Sequence, residues 1–294
     1  MDQLTKKEIN TLTLDAIKEH TRSGQSDKLD QICNKILNGA TIDGIVKFVM
    51  SATRAGVKLN TKPFSIRVAD EGDAKQNFEF ATIDGVDSKI HRDKIIQTEN
   101  IEINMLAGKQ IKDKYLEEYV NKHGEIVLNG TAYQNFNYLF RNKSRALNKQ
   151  SHFDRIIETK DLFINKKCAK EIDGADVLAH GQVIIDSRIP LENLMFAKIK
   201  GADIEAHLEI VLQLGDARHN FMALQEFEQC NLLAHINKIF ASPNETESNE
   251  VKIECIKWLK SQNLYNQYKT LPCIQQFAKD YKAKLVVLEN GLRL

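Results

Sequence analysis

Apolar residues in the first sixty positions recur at helical spacing. Leu29, Ile32, Cys33, Ile36 and Leu37 fall at i, i+3, i+4, i+7 and i+8, which predicts one apolar stripe on a helix that Asn38-Gly39 ends. An earlier helix is expected to open at Thr5-Lys6-Lys7-Glu8, a capping-box pattern that satisfies free amides at both ends of the tetrapeptide. A third, from Thr41 to Ala55, is apolar on most sides (Ile42, Ile45, Val46, Phe48, Val49, Met50) and stops at Gly56. A helix of that kind belongs in the middle of a bundle or under a partner.

After Pro63 the period shortens to two. Phe64, Ile66 and Val68 alternate, the polar run ADEGDAKQ follows, and Phe78 and Phe80 alternate again, which reads as a hairpin. Ile101, Ile103 and Met105 suggest a further strand. The stretch GKQIKDKYLEEYVNKHG then reads as a helix with Ile111, Tyr115, Leu116, Tyr119 and Val120 on one face and Gly124 as its stop. A strand EIVLN and a helix opening at the capping box Thr131-Ala132-Tyr133-Gln134 come next, while residues 151–180 show no decisive period.

Residues 192–215, ENLMFAKIKGADIEAHLEIVLQLG, allow three readings. Cut into fives they resemble a pentapeptide solenoid, echoed once by QNFEF-ATIDG at 76–85, but the phase breaks at Glu209 and a solenoid needs several stacked coils. His207-Leu208-Glu209 has the H-x-E form of a zinc deaminase. The strongest regularity is alternation: Ile204, Ala206, Leu208, Ile210, Leu212 and Leu214 are all apolar, with Val211 the only exception on the opposite face. Together with Met195, Ala197 and Ile199 across the turn residues Gly201-Ala202-Asp203, this predicts a hairpin. From Asp216, an N-cap, a long helix is expected through Phe221, Leu224, Phe227, Leu232, Ile236 and Ile239 to Ala241, where Ser242-Pro243 ends it. An exposed acidic loop NETESNE, a helix with Val251, Cys255, Trp258 and Leu259, and one starting at Thr270-Leu271-Pro272 follow. A strand over Lys284–Leu288 closes the chain. The expected class is α+β, in three regions: helical 1–62, mixed 63–215, and helical 216–294 with a terminal strand.

The 294 residues are 42% apolar and 28% charged, with a net charge of +1, so no global field draws the chain to nucleic acid or anionic lipid. Five widely spaced cysteines without a C-x-x-C pair argue against a disulfide framework, and the start MDQLTKKEINTLTLD has no apolar core of a signal peptide. With no run long enough to span a bilayer, the expected compartment is the cytoplasm, with any membrane contact made through a partner.

The candidate chemistry is thin. A deaminase needs P-C-x-x-C after its H-x-E, yet Pro272-Cys273 is followed by Ile274-Gln275-Gln276. His219, Cys230 and His235 share one expected helix, but Cys230 and His235 are five apart and diverge, so no metal is expected. Gly39-Ala40-Thr41-Ile42-Asp43-Gly44 has the glycine spacing of a phosphate loop, followed by Ile45-Val46 instead of Lys-Ser/Thr. Helices two and three could form a helix-turn-helix, although the third offers only Asp43, Lys47, Ser51 and Arg54 to bases. Tyr133, Phe136, Tyr138 and Phe140 interleave with Arg141, Lys143, Arg145 and Lys149, a pattern that fits stacked bases or a helix with a solvated basic end.

From MDQLTKKEINTLTLD to KLVVLENGLRL, the size of the chain, its lack of motifs and its Lys, Asn and Ile bias resemble the DotZ-like accessory subunits of the Dot/Icm type IVB secretion coupling complex. No local motif carries the resemblance, so no site residue is transferred by it. It implies a cytoplasmic, non-catalytic subunit that binds other protein subunits and influences effector recruitment. The residues themselves lead to a compatible expectation: a protein-binding chain without cofactor, metal or nucleic acid. Its interface candidates are Phe48, Tyr138, Arg141, Arg145, Leu292 and Leu294. The competing expectation is an enzyme with a dispersed site on the mixed sheet.

Overall fold

The computed structural model describes residues 3–23, 26–111, 115–142, 148–243 and 246–281. The chain divides into two compact units, 1–159 and 160–294. The first contains α1 (Lys6–Ser23), α2 (Ser26–Gly39), α3 (Ile42–Arg54), α4 (Lys62–Glu71), α5 (Ala74–Ala81), α6 (Ser88–Gln97), α7 (Ile101–Gln110), α8 (Leu116–Leu128), α9 (Ala132–Arg141) and α10 (Lys149–Glu158). The second contains α11 (Leu162–Glu171), α12 (Val177–Ser187), α13 (Pro190–Ala197), α14 (Ile204–Leu214), α15 (Ala217–Glu226), α16 (Leu232–Ala241), α17 (Thr246–Ser261), α18 (Tyr265–Tyr268) and α19 (Pro272–Asp280). No strand occurs among the described residues, and none of their helices is long and apolar enough to cross a membrane. The α+β expectation is therefore overturned, and with it the sheet on which a dispersed active site was to sit.

The expected hairpins are helix pairs. In 204–214 the buried residues are His207, Leu208 and Val211, with Ile204 half-buried, a stripe at i, i+3, i+4 and i+7. Glu205, Glu209 and Gln213 line the exposed side at intervals of four. Over eleven residues the two periods compete. The decision falls to Asp203, whose carboxylate accepts from the Ala206 amide at 3.1 Å and starts a helix. In 64–80, Phe64 and Val68 are buried at i and i+4 while Ile66 is exposed, and Pro63 lies in the first turn of α4. Asp73 and Gln76 form a reciprocal capping box that opens α5 inside what had read as a polar hairpin loop. Residues 101–105 lie in α7, and 125–128 lie in α8 with Asn129 as its C-cap, although both segments were expected as strands, so Gly124 does not stop its helix. The long helix from Asp216 is broken at Phe227, where extended backbone leads to a new N-cap, Asn231. The acidic stretch before Val251 belongs to α17 from Thr246 on. The strand expected at 284–288 lies outside the described residues.

Other expectations hold. Thr5 and Glu8 cap one another, α3 lies within the expected Thr41–Ala55, and Thr131 with Gln134 forms a capping box on α9. Asp216 caps α15, and Pro272 lies in the first turn of α19. Helix α3 is central: Ile45, Val46, Phe48 and Val49 are buried in a core shared with Ile9, Ile36, Phe64, Val68 and Phe80. In the second unit the largest core joins α15, α16, α17 and α19 through Phe221, Ile236, Ile239, Val251, Cys255, Ile256, Leu259 and Phe277.

From α5 onward the helices pack in antecedent–follower pairs, α5 with α6, α7 with α8 and α9 with α10, then α11 with α12, α13 with α14 and α15 with α16. We call them A and B helices. Three A-to-B turns share one form: Ile83-Asp84-Gly85-Val86-Asp87, Ile172-Asp173-Gly174-Ala175-Asp176 and Ile199-Lys200-Gly201-Ala202-Asp203. Their glycines have φ of +81°, +85° and +91°, where a Cβ is strained, and each final aspartate caps the B helix.

Candidate functional site

Each helix pair buries the same two polar residues. An asparagine near the start of the A helix, four residues after its N-cap position, faces a histidine on the B helix. The pairs are Asn77–His91, Asn104–His123, Asn135–His152, Asn165–His180, Asn193–His207 and Asn220–His235. In each, Oδ1 and Nδ1 lie 2.6–2.8 Å apart. They recur about 30 residues apart, a period that marks a stacked repeat.

The asparagine's other end explains why this residue type is required. Its Nδ2 donates to the carbonyl four residues earlier, at the start of its own helix: Asp73, Asn100, Thr131, Asp161, Ile189 and Asp216. In four pairs it also reaches the last turn of the preceding helix, at the carbonyls of Val68, Ile95, Ile184 and Val211, 3.1–3.4 Å away. Each of those carbonyls already accepts one bond at its own helix end, from the Gly72, Thr98 and Gly215 amides or the Ser187 hydroxyl, and the asparagine fills its second lone pair. In those four pairs one amide thus joins three helices: the helix before, its own A helix, and the B helix after.

The same geometry sets the histidine tautomer. With Nδ2 committed to carbonyls, Oδ1 faces the ring, so Nδ1 must carry the proton and donate. Nε2 is then the bare nitrogen. At His91 and His207 it is buried with no hydrogen-bond partner among the described residues. At His123 it lies 3.4 Å from the Arg92 guanidinium, which is itself buried and donates to the Ile111 carbonyl at 2.7 Å. Desolvation by burial holds His91, His152, His180 and His207 down to a pKa of about 4, and also lowers His235.

A second residue, three after the asparagine, completes the node. It is aromatic in alternate pairs: Phe80, Tyr138 and Phe196 lie against His91, His152 and His207 with ring centroids 4.9–5.0 Å apart. In the intervening pairs the position holds Ala107, Cys168 and Ala223. Within each unit a large ring enters space that glycine leaves in the preceding pair. A Cβ on Gly108 or Gly124 would come within 2.8 or 3.0 Å of the Tyr138 ring, and one on Gly181 within 3.0 Å of Phe196. At the C-terminal end the pattern changes. Asn249 donates to the Tyr281 hydroxyl, and buried Lys252 takes the ring position, donating to the Ser242 carbonyl at 2.7 Å.

The earlier candidates now have places. His207 of the H-x-E is a node residue, while Glu209 is exposed and bonded to Gln213. His219 bonds its own N-cap, Asp216, His235 bonds Asn220, and Cys230 lies in the turn between them. No three metal-binding side chains converge among the described residues. Gly39 ends α2 and Gly44 lies within α3. Of the interface candidates, Phe48 is buried against Phe64 and Tyr138 is buried with its hydroxyl on the Val120 carbonyl; exposed Arg141 ends α9. Arg145, Leu292 and Leu294 lie outside the described residues. The aromatic run splits: Phe136 and Tyr138 point inward, whereas Tyr133 and Phe140 are exposed.

Helix pairs stacked through a repeated internal node define an α-helical repeat protein. The chain matches no family model, and no curated protein or solved structure matches it either, so this class rests on the geometry alone.

Proposed function

We propose that the chain is a non-catalytic protein-binding scaffold. The observation that carries this reading is the repeated node: six asparagines and six histidines are buried in hydrogen bonds that hold each A helix to its B helix, and four of the asparagines also reach the helix before. Stacked helix pairs of this kind contact chiefly their neighbours and leave long helical faces for a partner. The resemblance to type IVB coupling-complex subunits names one assembly in which such a scaffold would serve, recruiting effectors from the cytoplasmic side.

The test is affinity purification of the full chain from its native cells at native expression. Stoichiometric recovery of other proteins supports the scaffold. Recovery of the chain alone, holding a metabolite or metal, overturns it. A recovered set that lacks membrane-associated secretion components retains the scaffold and removes the coupling-complex assignment.

A further inference from the structure

We infer that the cleft between α14 and α16 binds the ammonium group of an aliphatic amine, carried by a lysine side chain or by a free small molecule. The inference goes beyond the scaffold reading and does not rest on it. The cleft encloses about 250 Å³ and is lined by Glu205, Leu208, Glu209 and Leu212 of α14, by Cys230 in the turn before α16, and by His235. His235 is 1% exposed, and its Nδ1 is turned to Asn220. The opposite edge of the ring, the bare Nε2, has no partner among the described residues and faces the cleft.

The cleft exists because one joint of the stack is underfilled. The residue after each node histidine lies over the Nε2 of the next node. A Cβ on Gly124 would come within 3.2 Å of His152 Nε2, one on Gly181 within 3.2 Å of His207 Nε2, and Arg92 reaches His123 Nε2 at 3.4 Å. That position and the ring position of the next pair complement each other in size: Arg92 with Ala107, Gly124 with Tyr138, Phe153 with Cys168, Gly181 with Phe196. The next in the series is Leu208 with Ala223, which supplies neither a ring nor a long chain. At the equivalent place between α8 and α10, where Tyr138 enters, only about 20 Å³ remains.

Charge and shape select the ligand. The charged residues lining the cleft are both acidic, Glu205 and Glu209, one turn apart on α14. The Glu205 carboxylate has no partner among the described residues, and Glu209 accepts only from Gln213. Around them the turn before α14 adds Lys200 and Asp203, the turn before α16 adds Glu228, and Lys198 is paired with Glu226 at 2.7 Å. Lys238, one turn beyond His235, is bonded to the Gln213 carbonyl at 3.0 Å, so the border stays negative. Burial keeps the His235 ring neutral at pH 7.5, and its Nε2 offers a lone pair. An ammonium N–H can donate to that lone pair while the carboxylates balance its charge, and Leu208 and Leu212 cover the methylenes behind it.

The probe is n-butylammonium chloride, titrated at pH 7.5 into the full chain carrying nitrogen-15 histidine. One bare Nε2 resonance should shift, saturating in roughly the millimolar range, and butanol should leave it in place. E205Q/E209Q, which changes two exposed side chains, should weaken binding about fivefold. L208F, which fills the cleft as Phe153 does beside Cys168, should abolish the shift. An unchanged circular-dichroism melt certifies each fold, and if L208F fails to fold, E205Q/E209Q decides. No shift with butylammonium, an equal shift with butanol, undiminished binding to E205Q/E209Q, or a shift retained by folded L208F overturns the inference. Native partners recovered by the unaltered chain but lost from E205Q/E209Q place the ammonium on a partner's lysine; unchanged recovery places it on a free amine. If the unaltered chain recovers no partner while the shift persists, the scaffold reading fails and the cleft stands.

Discussion

The buried histidines make acid the most informative perturbation. In the folded chain His91, His152, His180 and His207 titrate near pH 4, against about 6.5 in an unfolded chain. The folded value is depressed, so between those limits the unfolded state binds more protons and stability rises with pH. It is fully present above about pH 6.5 and is lost progressively as pH falls toward 4. At pH 5 a shift of this size removes about 2 kcal/mol per histidine. Two such histidines lie in each unit, giving about 4 kcal/mol per unit, a large share of the 5–15 kcal/mol typical of a domain. Urea unfolding of the full chain followed by circular dichroism should show its midpoint falling steeply from pH 7 to 5. Imidazole resonances observed over the same range should remain neutral until the chain unfolds. Carboxylates do not mimic this, because most of them are still ionised at pH 5. A midpoint unchanged between pH 7 and 5, or folded-state histidines titrating near 6.5, would refute the burial of neutral imidazoles on which the reasoning stands.

Replacing Asn193 with leucine removes one of the donors to each of the Ile184 and Ile189 carbonyls and the acceptor for His207, so unfolding should cost about 2–4 kcal/mol less by denaturant titration. Leucine at exposed Asn34 should change stability by less than about 0.5 kcal/mol. G181A would place a Cβ 3.0 Å from the Phe196 ring and 3.2 Å from His207 Nε2; a loss of roughly 1–3 kcal/mol is expected. Adding F196L should recover part of that loss, and strict additivity in the double-mutant cycle would contradict the ring-into-glycine fit. Burial raises the Cys168 and Cys255 thiols to about 12, so neither should react with a disulfide reagent at pH 8 before unfolding. Labelling of either at the rate of a free thiol would show that these helices open readily.

Much of the local structure was legible. Capping residues at Thr5, Thr131 and Asp216 and the apolar stripe of α2 report interactions confined to a turn or two, and each was readable from spacing alone. The errors fell on segments of eight to eleven residues, where alternation and helical period overlap. In 204–214 the alternation hid that Val211, treated as the exception, and His207, placed on the polar face, are the buried residues. The likeness of QNFEF-ATIDG to ENLMF-AKIKG was also a true signal, but not of pentapeptides. It aligns Asn77 with Asn193, Phe80 with Phe196, Gly85 with Gly201, Asp87 with Asp203 and His91 with His207. Extending it to Asn165, Cys168, Gly174, Asp176 and His180 would have exposed the repeat and located the node.

By itself the sequence determined the helix starts, the glycine turns and the near-neutral charge, because each depends on a few adjacent residues and their backbone dihedrals. Tertiary structure decided which polar residues are internal. An asparagine and a histidine some fifteen residues apart have no local reason to pair; only when an A helix packs on its B helix do carbonyls in the last turn of a third helix meet the amide and turn its oxygen toward the ring. That arrangement is a property of three helices at once, which is why the histidines read along the chain as candidate ligands and in the folded protein as the joints of a stack.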